Sequence, residues 1–282
     1  MNSDSKLKVL AVGASGPVAG LVVPELRKRG VHVRGFVHKK EDEPTARQLG
    51  ADEIALGELS NPSDLATALK GVDAAFYIPP VELTNEADVG KQFVAVAKDA
   101  GVRRVVFSSV IHPILSALPK HAQKGPVEEA LLDSGLDYVF LHPGVFYQNL
   151  ASGWAKIRET GIHAEPWSNE TRFSRVDYRD VAEVAAIALT EERLLYGTFE
   201  LCAGGPLNRH GVASIMSEVL GKPVIAKKID PPADGEQKLA QMFSWYNKHS
   251  LLGNATTLHA ILGREPRALR DYLEDLNAGT NS

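Results

Sequence analysis

The chain has 282 residues, 44% hydrophobic and 23% charged, which suits one large α/β domain, alone or with a smaller appendage. The net charge is −4, and the basic cluster His38-Lys39-Lys40 is answered at once by Glu41-Asp42-Glu43, so a surface for nucleic acid or an anionic membrane is excluded. Cys202 is the single cysteine and the nine histidines show no paired ligand spacing, which leaves no disulfide and no expected metal site.

From the amino terminus, a short polar stretch leads into KVLAV (8–12), too brief an apolar run for a signal-peptide core. Further strand-like runs follow at 31–37, 52–56, 74–78, 104–109, 137–142 and 197–201, and none is long enough to span a bilayer. The expectation is a soluble, cytoplasmic protein. Between the strands lie helical patterns that end near glycines, with Asn61 and Asp64 as helix-start residues in the third crossover. Nearly all-apolar strands separated by helices predict a doubly wound parallel sheet of the Rossmann type, covered on both faces.

After residue 143 the rhythm changes. The segment 145–161 reads as a helix, 171–192 as a strand or loop entering a helix, and three amphipathic segments follow. The predicted organisation is a dinucleotide-binding domain over 1–150, to which 171–205 returns. A smaller, mostly helical substrate or cap region would comprise 151–170 and 206–282.

Within VLAVGASGPVAG, Gly13 and Gly16, with Ser15, Pro17 and Val18, stand between the first strand and the first helix, where a tight turn lets a diphosphate approach main-chain amides. Pro17 suits the first turn of that helix, whereas Pro24 lies inside it and should kink it. Arg34, His38, Lys39 and Lys40 put positive charge on and beyond the second strand, where an acidic residue would grip a ribose hydroxyl. NADP(H) is therefore preferred, with NAD(H) the second choice, and His38 and Lys39 lie nearest the expected pocket.

VGASGPVA, GELSNPSDLATALKGVD, RVVFSSV, HAQKGPVEEALLDSGLDYVFLHPGVFYQN and RFSRVDYRDVAEVAAIAL together resemble the NmrA-like branch of the atypical short-chain dehydrogenases/reductases. The resemblance implies that the glycine loop holds a diphosphate and that His38 falls where relatives often carry an arginine for the 2′-phosphate. It also implies that Glu58 lies beside the adenine, that Ile78, Pro79 and Pro80 border the ribose and diphosphate, and that Lys124 contacts the nicotinamide ribose. Pro143, Gly144 and Phe146 would line the nicotinamide, with Asn149 near the substrate.

The ordinary short-chain enzymes carry a proton-donating tyrosine four residues before the lysine, but Lys120 occupies that place here. Lys124 itself, His112, His121 and Tyr147 remain as candidate acids, and Ser108 or Ser109 could orient a carbonyl. The implied function is an NADP(H)-dependent oxidoreductase that reduces an unsaturated, carbonyl or quinone-like small organic molecule. The alternative is a non-catalytic NADP(H) sensor that acts through a regulatory protein partner; a homo-oligomer is compatible with either.

Overall fold

Strands with apolar side chains on both faces need cover on both sides, and the computed structural model, which describes residues 6–231 and 237–279, supplies it with helices. The first half of the chain comprises β1 (Lys8–Val12), α1 (Ala19–Lys28), β2 (His32–Val37), α2 (Glu43–Gln48), β3 (Glu53–Leu56), α3 (Pro62–Leu69), β4 (Ala74–Tyr77), α4 (Glu86–Asp99) and β5 (Arg104–Ser108). Next come α5 (Pro119–Ala122), α6 (Gly125–Ser134), β6 (Asp137–Pro143), β7 (Val145–Phe146), α7 (Ala151–Thr160), β8 (Ile162–Glu165), β9 (Phe173–Val176) and α8 (Tyr178–Thr190). The remainder is β10 (Thr198–Leu201), β11 (Ala203–Leu207), α9 (Arg209–Leu220), β12 (Ile225–Lys228), α10 (Gln237–Tyr246), α11 (Thr256–Leu262) and α12 (Leu269–Ala278).

Among the described residues, seven strands form one sheet in the order β10-β6-β5-β4-β1-β2-β3, and the ladders from β3 to β6 are parallel. Strand order reverses direction between β1 and β4, which opens a crevice at the carboxyl ends of those strands. The expected Rossmann-type α/β sheet is therefore present.

Two compact units divide the chain. The first contains 1–114, 121–142 and 181–199, and the second contains 115–120, 143–180 and 200–282. The boundaries read from the sequence, at 150 and at 171–205, fall differently: 143–150, 171–180 and 200–205 belong to the second unit, where β7, β9 and β11 pair in a sheet of their own.

The first unit is built around the sheet. Leu10, Phe76, Phe93 and Phe107 are fully buried, each contributing about 1.5–3 kcal/mol through its removal from water. Tyr77 stacks on Phe93 with ring centroids 4.3 Å apart. The buried Arg104 guanidinium donates to the carbonyls of Ala188 and Glu191, closing the carboxyl end of α8 onto β5. Helix α1 runs through Pro24 to Lys28, and it begins at Ala19 after the cap residue Val18, so Pro17 precedes the helix rather than entering its first turn.

The second unit holds helices α7 and α9–α12 together with short strands, β11-β9-β7 in one sheet and β12-β8 in another. Strand β9 lies in the segment 171–192, read as a strand or loop entering a helix, and the other four were not revealed by the sequence pattern. Residues 145–150, expected as helix, form β7 and a 3-10 turn; the α-helix starts only at Ala151. Trp167, Phe173, Phe243 and Tyr246 pack against one another with centroid separations of 5.0–5.9 Å, which makes them core of this unit.

Candidate functional site

The turn after β1 is held by its own main chain. The amides of Gly13 and Ala14 both donate to the Phe36 carbonyl, at 2.9 and 3.3 Å, and the Gly16 amide donates to the Gly13 carbonyl at 2.7 Å. Gly13 has φ +74°, a left-handed conformation that costs other residues about 1–2 kcal/mol. A Cβ on Gly16 would stand 3.0 Å from the Gly13 carbonyl. Among the described residues no acceptor meets the amides of Ser15 or Val18, and the first turn of α1 carries no acidic side chain. Bare amides, a helix amino terminus and no opposing carboxylate suit an anion. The turn therefore fits a dinucleotide diphosphate.

Beyond β2, His38 Nδ1 lies 3.0 Å from Glu58 Oε1, and both side chains are more than half exposed. The residue expected at the 2′-phosphate and the one expected at the adenine are thus partners. Lys39 and Lys40 are exposed beside them. Arg34, also considered for the phosphate, is committed elsewhere: its guanidinium binds Glu53 and the carbonyls of Ala68 and Lys70. Strand alternation and the β2–β3 register put it in the sheet, paired across from Glu53. Ile78, Pro79 and Pro80 leave β4 at its carboxyl end; Pro79 is buried and Pro80 exposed.

Lys124 is the cap residue of α6, and its Nζ lies 2.6 Å from Glu86 Oε1 in the first turn of α4. Asn85 provides no side-chain cap to α4; instead Gln123 accepts from the Ala87 amide at 2.9 Å. The two residues at the α5–α6 break therefore anchor the start of α4. The Lys124 ammonium also stands 5.6 Å from the Phe107 ring centre.

At the end of β5, Ser109 Oγ donates to Glu128 Oε1 at 2.5 Å, and His142 Nε2 lies 2.9 Å from the same oxygen. All three side chains are largely buried, and the carboxylate stands between serine and histidine. A nucleophilic serine needs the histidine in the middle, so this arrangement is no hydrolase triad. It also spends the hydroxyl proton of Ser109 on Glu128, which leaves lone pairs and no donor for a substrate carbonyl. Neither Glu86, Glu128 nor His142 was singled out from the sequence. The spacing Lys124–Glu128 was visible there, but it reads as an ordinary surface pair on one helix face.

His112 follows β5 with φ +53° immediately before Pro113, an uncommon conformation for a side chain with a Cβ. Its ring is half-buried, and its carbonyl lies 3.2 Å from His121 Nδ1. Burial is the main cause that pulls the His121 pKa below its usual value, so His121 is neutral near pH 7. Bonded to a carbonyl, Nδ1 keeps its proton and Nε2 is left as an acceptor.

The remaining candidates belong to the second unit. Gly144 is enclosed: a Cβ there would stand 2.6 Å from the Ser174 carbonyl and 3.1 Å from Cys202 Sγ. Close strand approach accounts for this glycine. Pro143 is buried, and Phe146 packs edge-on against Tyr178 at 4.4 Å. The Tyr147 hydroxyl donates to the Arg267 carbonyl at 3.3 Å, and burial, aided by Asp177 and Asp180, raises its pKa well above the usual range. Such a phenol keeps its proton. Asn149 is exposed on the rim of a cavity of about 390 Å³ between α7, β8 and β12.

A glycine turn at the strand-order reversal of a doubly wound sheet defines a dinucleotide-binding α/β protein. The profile of the NmrA-like family matches residues 5–275, and the chain belongs to that family. An NAD(P)H azoreductase of Xenophilus azovorans is 30% identical over 223 residues, covering 77% of this chain and 75% of that protein. Among solved structures, the NADPH complex of an NADPH-dependent quinone oxidoreductase from Escherichia coli superposes with a TM-score of 0.86 at 20% identity, covering 96% of this chain and 100% of the other. The NADP(H) complex of a Citrobacter sp. triphenylmethane reductase gives 0.84 at 22% identity, covering 95% and 99%. No helix among the described residues is long and apolar enough to cross a membrane.

Proposed function

We propose that the protein is an NADP(H)-dependent oxidoreductase that reduces an unsaturated, carbonyl or quinone-like small organic molecule. The observation that carries this reading is the Gly13–Gly16 turn, with its open Ser15 and Val18 amides, in a chain whose 30% identical relative is an NAD(P)H azoreductase. Both solved relatives described above hold the phosphorylated coenzyme, and Lys39 and Lys40 supply exposed positive charge beyond β2. NADP(H) is preferred to NAD(H) on those grounds.

When bound, the coenzyme supplies the hydride. The chain's own residues do the rest: Ser15 and Val18 amides hold the diphosphate, and Lys124, steadied by Glu86, holds the nicotinamide ribose. For the accompanying proton His112 is the favoured donor, because His121 is a neutral acceptor and Tyr147 retains its proton on the Arg267 carbonyl.

A second reading is favoured by one observation: Lys120 stands where the tyrosine acid would be, and Lys124 is committed to a buried ion pair. On this reading the protein binds NADP(H), turns nothing over and signals through a partner protein. Fluorescence titration with NADPH, then oxidation assays over quinones, enones, aldehydes and azo compounds, separates the two. Oxidation dependent on one substrate class supports the enzyme. Tight binding with no oxidation supports the sensor, and failure to bind NADPH or NADH removes both.

A further inference from the structure

The contact between His38 and Glu58 lies on the surface, but the backbone builds it. β2 ends at Val37, and the Phe36 carbonyl receives the amides of Gly13 and Ala14, so His38 is two residues from the anchor of the glycine turn. The Gly57 amide donates to the Val37 carbonyl at 3.1 Å, which continues the β2–β3 pairing beyond Leu56 and brings Glu58 beside His38. Asp64 of α3 accepts the Glu58 amide at 2.9 Å, and a Cβ on Gly57 would stand 2.6 Å from the Asp64 Cβ. Both β2 and α3 therefore fix this turn, and His38 Nδ1 stands 3.0 Å from Glu58 Oε1.

In a doubly wound sheet the end of the second strand is where the 2′ position of the adenosine ribose is read. Few charges are left to read it. Arg34 is spent on Glu53 and two carbonyls, and Asp64 on the Glu58 amide. The glycine turn and the first half of α1, residues 13–24, contribute no titratable side chain. What remains is His38 with Glu58, the exposed Lys39 and Lys40, and the carboxylates Glu41, Asp42 and Glu43 that follow. Lysine and carboxylate side chains ordinarily hold their charges on either side of neutrality, whereas an imidazole gains or loses its charge there. A phosphate dianion beside an imidazole favours the protonated ring, and a ribose hydroxyl does not.

We propose that His38 makes the choice of coenzyme proton-linked. The 2′-phosphate of NADPH binds with uptake of a proton by the His38 imidazole, so the preference for NADPH over NADH strengthens as pH falls toward neutrality and below. Glu58 acts in two directions: it holds the proton on His38, and its own charge opposes the phosphate. The inference rests on the dinucleotide reading of the glycine turn and states how the phosphate end of that site is charged.

The test is the ratio of NADPH to NADH affinity, measured by fluorescence titration of the full chain between about pH 6.5 and about pH 8.5, above the second ionisation of a phosphate monoester near 6. Ionic strength is kept low and constant, because both side chains are more than half exposed and salt screens them. The two coenzymes differ only in the 2′-phosphate, so pH effects elsewhere in the site cancel in the ratio. It falls about threefold or more from the acid to the alkaline end. Calorimetry in two buffers of different ionisation enthalpy shows more proton uptake with NADPH than with NADH. His38→Ala lowers and flattens the ratio, and His38→Arg, with a permanent charge, raises it at the alkaline end and flattens it. Glu58→Gln raises the ratio and keeps its slope. A ratio constant with pH in wild type, equal proton uptake with the two coenzymes, a slope that survives His38→Ala or His38→Arg, or one that vanishes in Glu58→Gln overturns the inference and leaves the dinucleotide reading standing. Failure of both coenzymes to bind overturns the two together.

Discussion

Lys124 Nζ and Glu86 Oε1 are 2.6 Å apart, with the two side chains 11% and 3% exposed. The family's lysine is therefore a structural partner of α4 as well as a candidate coenzyme contact. Lys124→Met should strand the Glu86 carboxylate and cost about 3–5 kcal/mol, while the double variant Lys124→Met, Glu86→Gln should recover most of that loss. Urea unfolding of the three proteins checks it. Equal stability of single and double variants would show that the pair carries no coupling.

The glycine turn makes a separable prediction. Gly13→Ala should lose about 1–2 kcal/mol of stability through its left-handed φ. Gly16→Ala should instead weaken NADPH binding about tenfold or more, because its Cβ crowds the Gly13 carbonyl and the face offered to the diphosphate. Unchanged NADPH affinity in Gly16→Ala would place the diphosphate elsewhere.

Coenzyme choice should respond to the His38–Glu58 pair. Glu58→Gln removes a carboxylate 3.0 Å from His38 and should raise the ratio of NADPH to NADH affinity. Exposure and salt screening hold the change below about tenfold. His38→Ala with Lys39→Ala should lower the same ratio. A ratio untouched by both variants would remove this edge from the 2′-phosphate.

His163 sets a pH dependence. Its pKa falls from 6.5 to about 4 in the folded chain, chiefly through burial. As pH drops below 6.5 the unfolded chain takes up a proton that the folded chain refuses until near 4. The contribution is fully present above the unfolded value and drains away across that window, by at most about 3 kcal/mol. Unfolding of wild type and His163→Gln as a function of pH tests this, and the variant should show a shallower acid limb.

The sheet was legible in the sequence because strands buried on both faces are written as unbroken apolar runs. KVLAV matches β1 residue for residue, and the other six sheet strands begin or end within one residue of their readings. The glycine turn was legible because Gly13 and Gly16 stand at the first strand–helix junction, where a tight turn calls for them. Strands β8 and β12 were not, since Ile225-Ala-Lys-Lys228 has mostly exposed side chains and pairs across a long sequence gap with Ile162–Glu165. Residues 145–150 carry helix-compatible side chains, but β7 pairs with β9 and overrides them. The commitments of Glu86 and Glu128 escaped because burial of a charge is a tertiary fact, and an isolated Glu in a sequence is ordinarily solvated. Arg34 misled for the same reason: its partners Glu53, Ala68 and Lys70 come from other elements.

The chain passes between its two compact units after Ile114, Lys120, His142, Asp180 and Phe199. No single cut can separate them, and a fragment ending at His142 would lack β10, the edge strand beside β6. Neither half can be transplanted, exchanged or deleted as one continuous piece, so a graft of either unit has to carry several separate segments together.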